Sequence, residues 1–277
     1  MKKILVLTDF SQTAHRAVLY AAGLTQQLEA DELILYNSYE FIPPSEVPML
    51  EPMDMERLRL ESLAALTELR NELCDLVSKQ TLIHIRADER PLLTAVKAIA
   101  ADLTVMGVTG KSKLEQLLIG SHTLLMSREL ATPLLLVPPG AIYEKIRRVA
   151  FACELEGISA ITPAKTIRGL LHALGAHLLI LNVDKEDQAQ FTPDTIDEQS
   201  ALHELWDSET PDYHYLIHED TVEGLLQFTQ EHDVQLLIAL PRHQGLFDAL
   251  FHRSMTKKLA FRTPIPLLLV RKKRRDD

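Results

Sequence analysis

The chain repeats itself. Ile4-Leu5-Val6-Leu7-Thr8-Asp9 aligns with Val149-Ala150-Phe151-Ala152-Cys153-Glu154, and Leu33-Ile34-Leu35-Tyr36-Asn37 with Leu178-Leu179-Ile180-Leu181-Asn182, both at a spacing of 145 residues. Near the end of each copy, Thr132-Pro133-Leu134-Leu135-Leu136-Val137 matches Ile265-Pro266-Leu267-Leu268-Leu269-Val270 at a spacing of 133. The second copy is therefore twelve residues shorter between its second strand and its last. Internal self-similarity fixes the architecture before any single element is assigned. The 277 residues suit one large or two modest domains, and the repeat divides them into 1–140 and 145–277. Pro138-Pro139-Gly140 ends the first copy, and 141–145 makes a very short linker.

Within each copy, short apolar runs alternate with helical patterns. The first copy predicts strand 4–9 and a helix near 12–28 with Ala14, Ala17, Val18 and Ala21 on one face. Strand 32–37 follows, then the proline-rich stretch 41–48, which can be neither regular helix nor central strand. A long helix is predicted over about 54–79, with Leu66, Leu69, Leu73 and Leu76 three and four apart, then strand 81–87. Pro91 suits the first turn of a helix carrying Leu92, Val96 and Ile99. Strand 103–106, a short helix from Ser121 and strand 133–138 close the unit. The second copy predicts strands near 148–153, 178–183, 212–218, 234–240 and 265–271. Thr162-Pro163 and Thr192-Pro193 each read as an N-cap followed by proline at the first helical position. Near-continuous apolar strands alternating with helices imply α/β architecture: parallel sheets covered on both faces.

The stretch richest in chemistry is Gly107-Val108-Thr109-Gly110-Lys111-Ser112, running on to Gly120-Ser121. It lies between an apolar strand and a helical pattern. Glycine permits close approach of backbone N–H groups to an anion, and a helix N-terminus favours negative charge. A P-loop is excluded, because Val105 occupies the place of its first glycine. The spacing Gly107, two residues, Gly110, nine residues, Gly120-Ser121 resembles the ATP-binding signature of universal stress proteins, and Lys111-Ser112 is similar to the basic-Ser pair that often follows the family's second glycine. The family often has glycine next, where this chain has Lys113. The resemblance covers essentially the whole chain, as a tandem pair of domains. It implies a Rossmann-like, doubly wound five-stranded sheet of order 3-2-1-4-5 in each, of the adenine-nucleotide α-hydrolase-like kind.

In a sheet of that order the crevice lies between strands one and four, at their carboxyl ends. The resemblance then implies that Asp9 holds the adenine side of a nucleotide, with Thr8 also in the nucleotide site, and that the chain near Asn37 lines the base and ribose pocket. Gly107, Gly110, Gly120 and Ser121 would surround ribose and phosphates, with Lys111 adding charge. The implied ligand is ATP or AMP, with or without Mg. Asp9 also suits a cap on the first helix beside Ser11 and Thr13. In the second copy Gly107 becomes Leu240, Gly110 becomes His243 and Gly120 becomes Arg253, while Ser254 keeps the place of Ser121 and Glu154 that of Asp9. The apolar loop positions Phe247, Leu250 and Phe251 survive. The second copy is expected to keep the fold and lose the phosphate cradle. Arg242, His243, His252 and Arg253 read as a polar loop without ligand spacing.

The remaining composition excludes other classes. A net charge of −10 argues against non-specific nucleic-acid binding, and the basic tail 271–275 reads as a solvated terminus. No apolar run reaches membrane-spanning length. Cys74 and Cys153 give neither a disulfide framework nor zinc spacing, so a reducing cytoplasm is the simplest setting. Among the 11 histidines, His214 and His218 fall on one face of a predicted strand, and His172 and His177 flank a helix end at Gly175, without matching carboxylate or Cys clusters. Met49, Met53 and Met55 read as packing. No catalytic constellation is evident, so the chain reads as a nucleotide-binding stress-response or signalling protein with at most slow ATP hydrolysis. The alternatives are a nucleotide-independent interaction protein and, last, an enzyme of the broader nucleotide-binding group. The short linker implies that the two halves pack as an intramolecular pseudo-dimer, with a homodimer also open.

Overall fold

The computed structural model describes residues 1–39, 52–108, 121–155, 157–184, 193–241 and 255–272. The first half contains β1 (Lys3–Leu7), α1 (Gln12–Leu28), β2 (Glu32–Ser38), α2 (Pro52–Leu73), β3 (Leu82–Asp88), α3 (Leu92–Ile99), β4 (Leu103–Gly107), α4 (Ser121–Glu129) and β5 (Leu134–Val137). The second contains β6 (Arg148–Ala152), α5 (Ile158–Ile161), α6 (Ala164–Leu174), β7 (His177–Asp184), α7 (Pro193–Trp206), β8 (Asp212–Ile217), α8 (Thr221–Glu231), β9 (Leu236–Ala239), α9 (Met255–Arg262) and β10 (Leu267–Leu269).

The strands form one ten-stranded sheet in the order β3-β2-β1-β4-β5-β10-β9-β6-β7-β8. Each half is a doubly wound parallel sheet of order 3-2-1-4-5, and the halves meet where β5 pairs antiparallel with β10. Alternation along the strands divides the core in two. Ile4 and Val6 pack with α1 and α2 on one face, and Leu5 and Leu7 with α3 and the Met126 side of α4 on the other. Burial on both faces explains why the strands read as unbroken apolar runs.

The registers locate the length difference. Asn37 pairs with Ala87, and its counterpart Asn182 with Tyr215, so the spacing falls from 145 to 128 across the second helix. It rises to 133 at the fourth strand, where Ile4 pairs with Leu103 and Val149 with Leu236. The long helix is shorter than its periodicity predicts. It ends at Leu73, and Leu76 lies beyond it and 46% exposed, while Val77 is buried instead. Thr162 does not cap α6 either. Its hydroxyl donates back to Ile158 O at 2.6 Å, and Pro163 itself stands at the cap of α6 without a side-chain hydrogen bond. Proline removes an N–H, so a helix continuous in the first half is split in the second. Pro193 does open α7, while Thr192 lies outside the described residues.

The linker is a packed segment. Tyr143 lies edge-on to Tyr20 at 5.4 Å between ring centres, and its ring covers Gly23 so closely that a Cβ there would stand 2.3 Å from it. The Gln27 amide is fully used: Nε2 donates to Ile146 O and Leu174 O, both at 2.7 Å, and Oε1 accepts from Tyr143 OH at 2.8 Å and Ile146 N at 2.9 Å. Among the described residues, no helix is long and apolar enough to cross a membrane.

Candidate functional site

In the first half β1 pairs with β2 on one side and β4 on the other. The chain leaves β1 for α1 on one face, and α4 after β4 packs on the other face. The two exits diverge and open a crevice above the strand ends, where open α/β sheets bind ligands. The crevice has a volume of about 240 Å³ and collects Thr8, Asp9, Asn37, Gly107, His122 and Thr123 from four separate segments. Nearly a hundred residues separate Asp9 from Gly107, and the fold brings both to one wall.

Thr8 is buried, and its Oγ1 accepts the N–H of Phe10 at 3.0 Å. Phe10 takes a left-handed conformation, φ 63°, which turns the chain sharply from β1 towards α1. Asp9 is exposed, and its Oδ1 accepts Ser11 N–H at 3.0 Å. The cap of α1 is Ser11, whose Oγ accepts Ala14 N–H at 3.2 Å, so Asp9 steadies the turn before the cap. Asn37 lines the crevice, but its side chain is committed to the fold. Nδ2 donates to Thr8 O at 2.8 Å and Oδ1 accepts Ser62 Oγ–H at 2.7 Å. Asn182 repeats the first bond in the second half, donating to Cys153 O at 3.1 Å.

Gly107 ends β4 against the first turn of α1. A Cβ there would stand 2.5 Å from Thr13 O and 2.7 Å from Thr13 C, both backbone atoms. This glycine thus serves close packing of helix on strand as well as opening the loop. Ser121 begins α4. Gly110, Lys111 and Gly120 lie outside the described residues.

Three further groups at the crevice carry no mark in the glycine spacing. His122 and Thr123 stand in the first turn of α4, exposed and buried respectively. Tyr36 on β2 is fully buried and lines the crevice, and its hydroxyl has no hydrogen-bond partner among the described residues. Burial, with the Asp88 carboxylate adding to it, pushes its phenol up to about 12. Asp88 itself is held low by its hydrogen bonds to Arg90. The self-alignment contains a signal for Tyr36: its counterpart is Leu181, so a polar atom enters a buried run only in the first copy.

The corresponding region of the second half carries different groups. Glu198 of α7 accepts Gly157 N–H and Ile158 N–H, each at 3.0 Å, at the start of α5. Leu240, in the place of Gly107, is partly buried and packs against the core. The polar loop 242–254 lies outside the described residues. His218 falls past the end of β8, so it does not share a strand face with His214. His172 contacts Glu209 and His177 contacts Asp212. Among the described residues no group of three or more His, Cys, Asp or Glu could hold a metal ion.

Residues 1–138 match the model of the universal stress protein family. No curated protein matches the chain. Among solved structures, a universal stress protein from Archaeoglobus fulgidus is 16% identical, covers 98% of each chain and superposes with a TM-score of 0.72. A universal stress protein described as putative, from Pseudomonas aeruginosa, is 14% identical over 98% of this chain and 93% of its own, with a TM-score of 0.60. A universal stress protein in complex with cAMP is 26% identical over 49% of this chain and 96% of its own, with a TM-score of 0.38. The family model identifies the first half and the fold extends over both, so the chain belongs to the universal stress protein family.

Proposed function

We propose that the chain binds one adenine nucleotide, ATP or AMP, in the crevice of its first half and acts as a stress-response or signalling protein. The observation that carries this is the convergence of Thr8-Asp9, Asn37, Gly107 and the first turn of α4 on one crevice at the switch point. The adenosine lies towards β1 and β2. The phosphates lie towards the loop 107–121, where Gly110, Lys111, Gly120 and Ser121 supply backbone, charge and hydroxyl donors at a helix N-terminus. Asp9 is the one carboxylate among the described residues of the crevice. Mg would therefore come bound to the nucleotide.

In this reading residues 1–140 and 145–277 are two domains of a cytoplasmic protein. The second is an intramolecular partner that holds no nucleotide, since Leu240 and Arg253 replace two cradle glycines and Glu198 occupies backbone donors. The test is calorimetric titration of ATP into the full chain stripped of co-purified nucleotide, beside Gly120→Arg, which copies the second half. One ATP per chain, lost in the variant, is the expected result. Two per chain would overturn the restriction to the first half. No binding by the folded protein would overturn the nucleotide reading and leave an interaction protein.

A further inference from the structure

We infer that the Tyr36 hydroxyl and the first-turn amides of α3 hold a hydrogen-bond acceptor on the nucleoside end of the bound ligand. The inference rests on the nucleotide reading of this crevice. It starts from donors that the first half leaves unmet. Tyr36 is 0% exposed and its hydroxyl has no partner among the described residues. A buried hydroxyl without a partner forfeits its hydration and gains nothing in return. Asp88, the carboxylate nearest in chemistry, is occupied by Arg90, which donates to Oδ2 through Nε at 2.8 Å. α3 begins at Leu92, which also lines the crevice, and its cap residue Pro91 supplies no side-chain hydrogen bond. The first N–H groups of a helix have no partners within the helix.

The second half shows what these positions look like without the glycine motif. Leu181 stands for Tyr36, fully buried and apolar. α8 stands for α3, and its cap Asp220 accepts Val222 N–H at 2.9 Å and Glu223 N–H at 3.3 Å. Thus the second half caps this helix with Asp220 and has no hydroxyl in the place of Tyr36. In the first half the cap of α3 supplies no side-chain hydrogen bond, and the Tyr36 hydroxyl has no partner among the described residues. The fold does not require the hydroxyl, so a ligand acceptor accounts for it.

Geometry selects the nucleoside over the phosphates. β2 lies across β1 from β4, and two strand spacings separate β2 from β4 by roughly 10 Å. A nucleotide with its phosphates at α4 therefore presents its other end to Tyr36. The hydroxyl keeps its proton at neutral pH and serves as a donor.

The experiment compares the full-length protein with Tyr36→Phe, titrating ATP and, separately, adenosine to millimolar concentration, with thermal unfolding of both proteins free of ligand. Affinity for both ligands is expected to fall about three- to tenfold, the range for one neutral hydrogen bond. The ligand-free variant should melt at the same temperature or higher, because an orphan hydroxyl has been removed. Equal binding of ATP by both proteins would overturn the inference. So would a loss confined to ATP, wild-type protein that ignores adenosine, or a ligand-free variant that melts earlier. Wild-type protein that binds neither ligand would overturn the nucleotide reading itself, and the inference with it.

Discussion

Asn37 shows how one residue can line a site and still belong to the fold. Its amide ties the end of β1 to β2 and to Ser62 of α2, with both ends used and the group 8% exposed. Replacing it with Ala leaves Thr8 O and the Ser62 hydroxyl without this partner and should cost about 2 kcal/mol in denaturant unfolding. Asn182→Ala should cost a smaller amount of the same kind, since Asn182 is half-buried and makes the longer bond. If Asn37→Ala left stability intact and changed only ligand affinity, the structural role would be wrong. The identity of Asn37 and Asn182 was visible in the self-alignment. A residue kept where the glycines are lost points to the fold, a distinction that the motif alone did not make. Gly107 carries a similar double meaning. Its spacing in the chain marks a loop, but the 2.5 Å approach of Thr13 O is visible only in three dimensions. Gly107→Ala should therefore destabilise the protein by roughly 1–3 kcal/mol, because the opposing atoms are backbone and cannot turn aside. An unfolding midpoint unchanged from wild type would show that α1 can retreat.

At the scale of elements, the same glycine explains why the two copies differ. α1 packs directly on β4, whereas α5 and α6 make at most marginal contact with β9 and α5 lies against α7. Leu240 replaces the glycine that allowed close approach, and Pro163 breaks the helix that would have approached. The first turn lies against α7 instead, where Glu198 takes up the Gly157 and Ile158 N–H groups. Gly157 supports this turn with φ +61°. Glu198→Ala should lower stability by about 1–2 kcal/mol, the range for a lost helix cap, with the loss read as an earlier chemical unfolding midpoint. No change would mean that solvent replaces the carboxylate at no cost. The alternation of strand and helix was legible because burial on both faces leaves a one-dimensional trace. The helix break was not, since a Thr-Pro pair suits a helix start as well as a stop. Which one occurs depends on whether Thr162 finds Ile158 O behind it, a tertiary outcome.

The molecule as a whole is organised about one pair of short strands. Leu135 pairs with Leu268, and Leu134 and Leu136 pair with Leu269 and Leu267. In the internal repeat Leu134, Leu135 and Leu136 correspond to Leu267, Leu268 and Leu269. Each residue therefore faces the counterpart of its partner's position, the pattern of a self-complementary two-fold interface. Both strands also read Pro-Leu-Leu-Leu-Val, so β5 sees across the joint a copy of itself. The repeat made two similar units legible, but neither copy contains information about which edges meet. That follows from elimination in space: β5 and β10 are the apolar, fully buried edges of their halves. Strands β3 and β8 at the outer ends carry exposed and charged positions instead. If the joint is set by this strand alone, the fragment 1–140 retains everything needed to pair with a second copy in the same register. Produced separately, it should sediment at twice its chain mass. Leu135→Asp, which places a charge on the axis where it meets its own copy, should reduce that mass to a single chain while the fragment stays folded. The full chain should sediment as one 31.3 kDa molecule, because β10 already fills the edge. A fragment that stayed monomeric and folded would show that the Gln27 and Tyr143 contacts on the linker, rather than the paired leucines, hold the halves together.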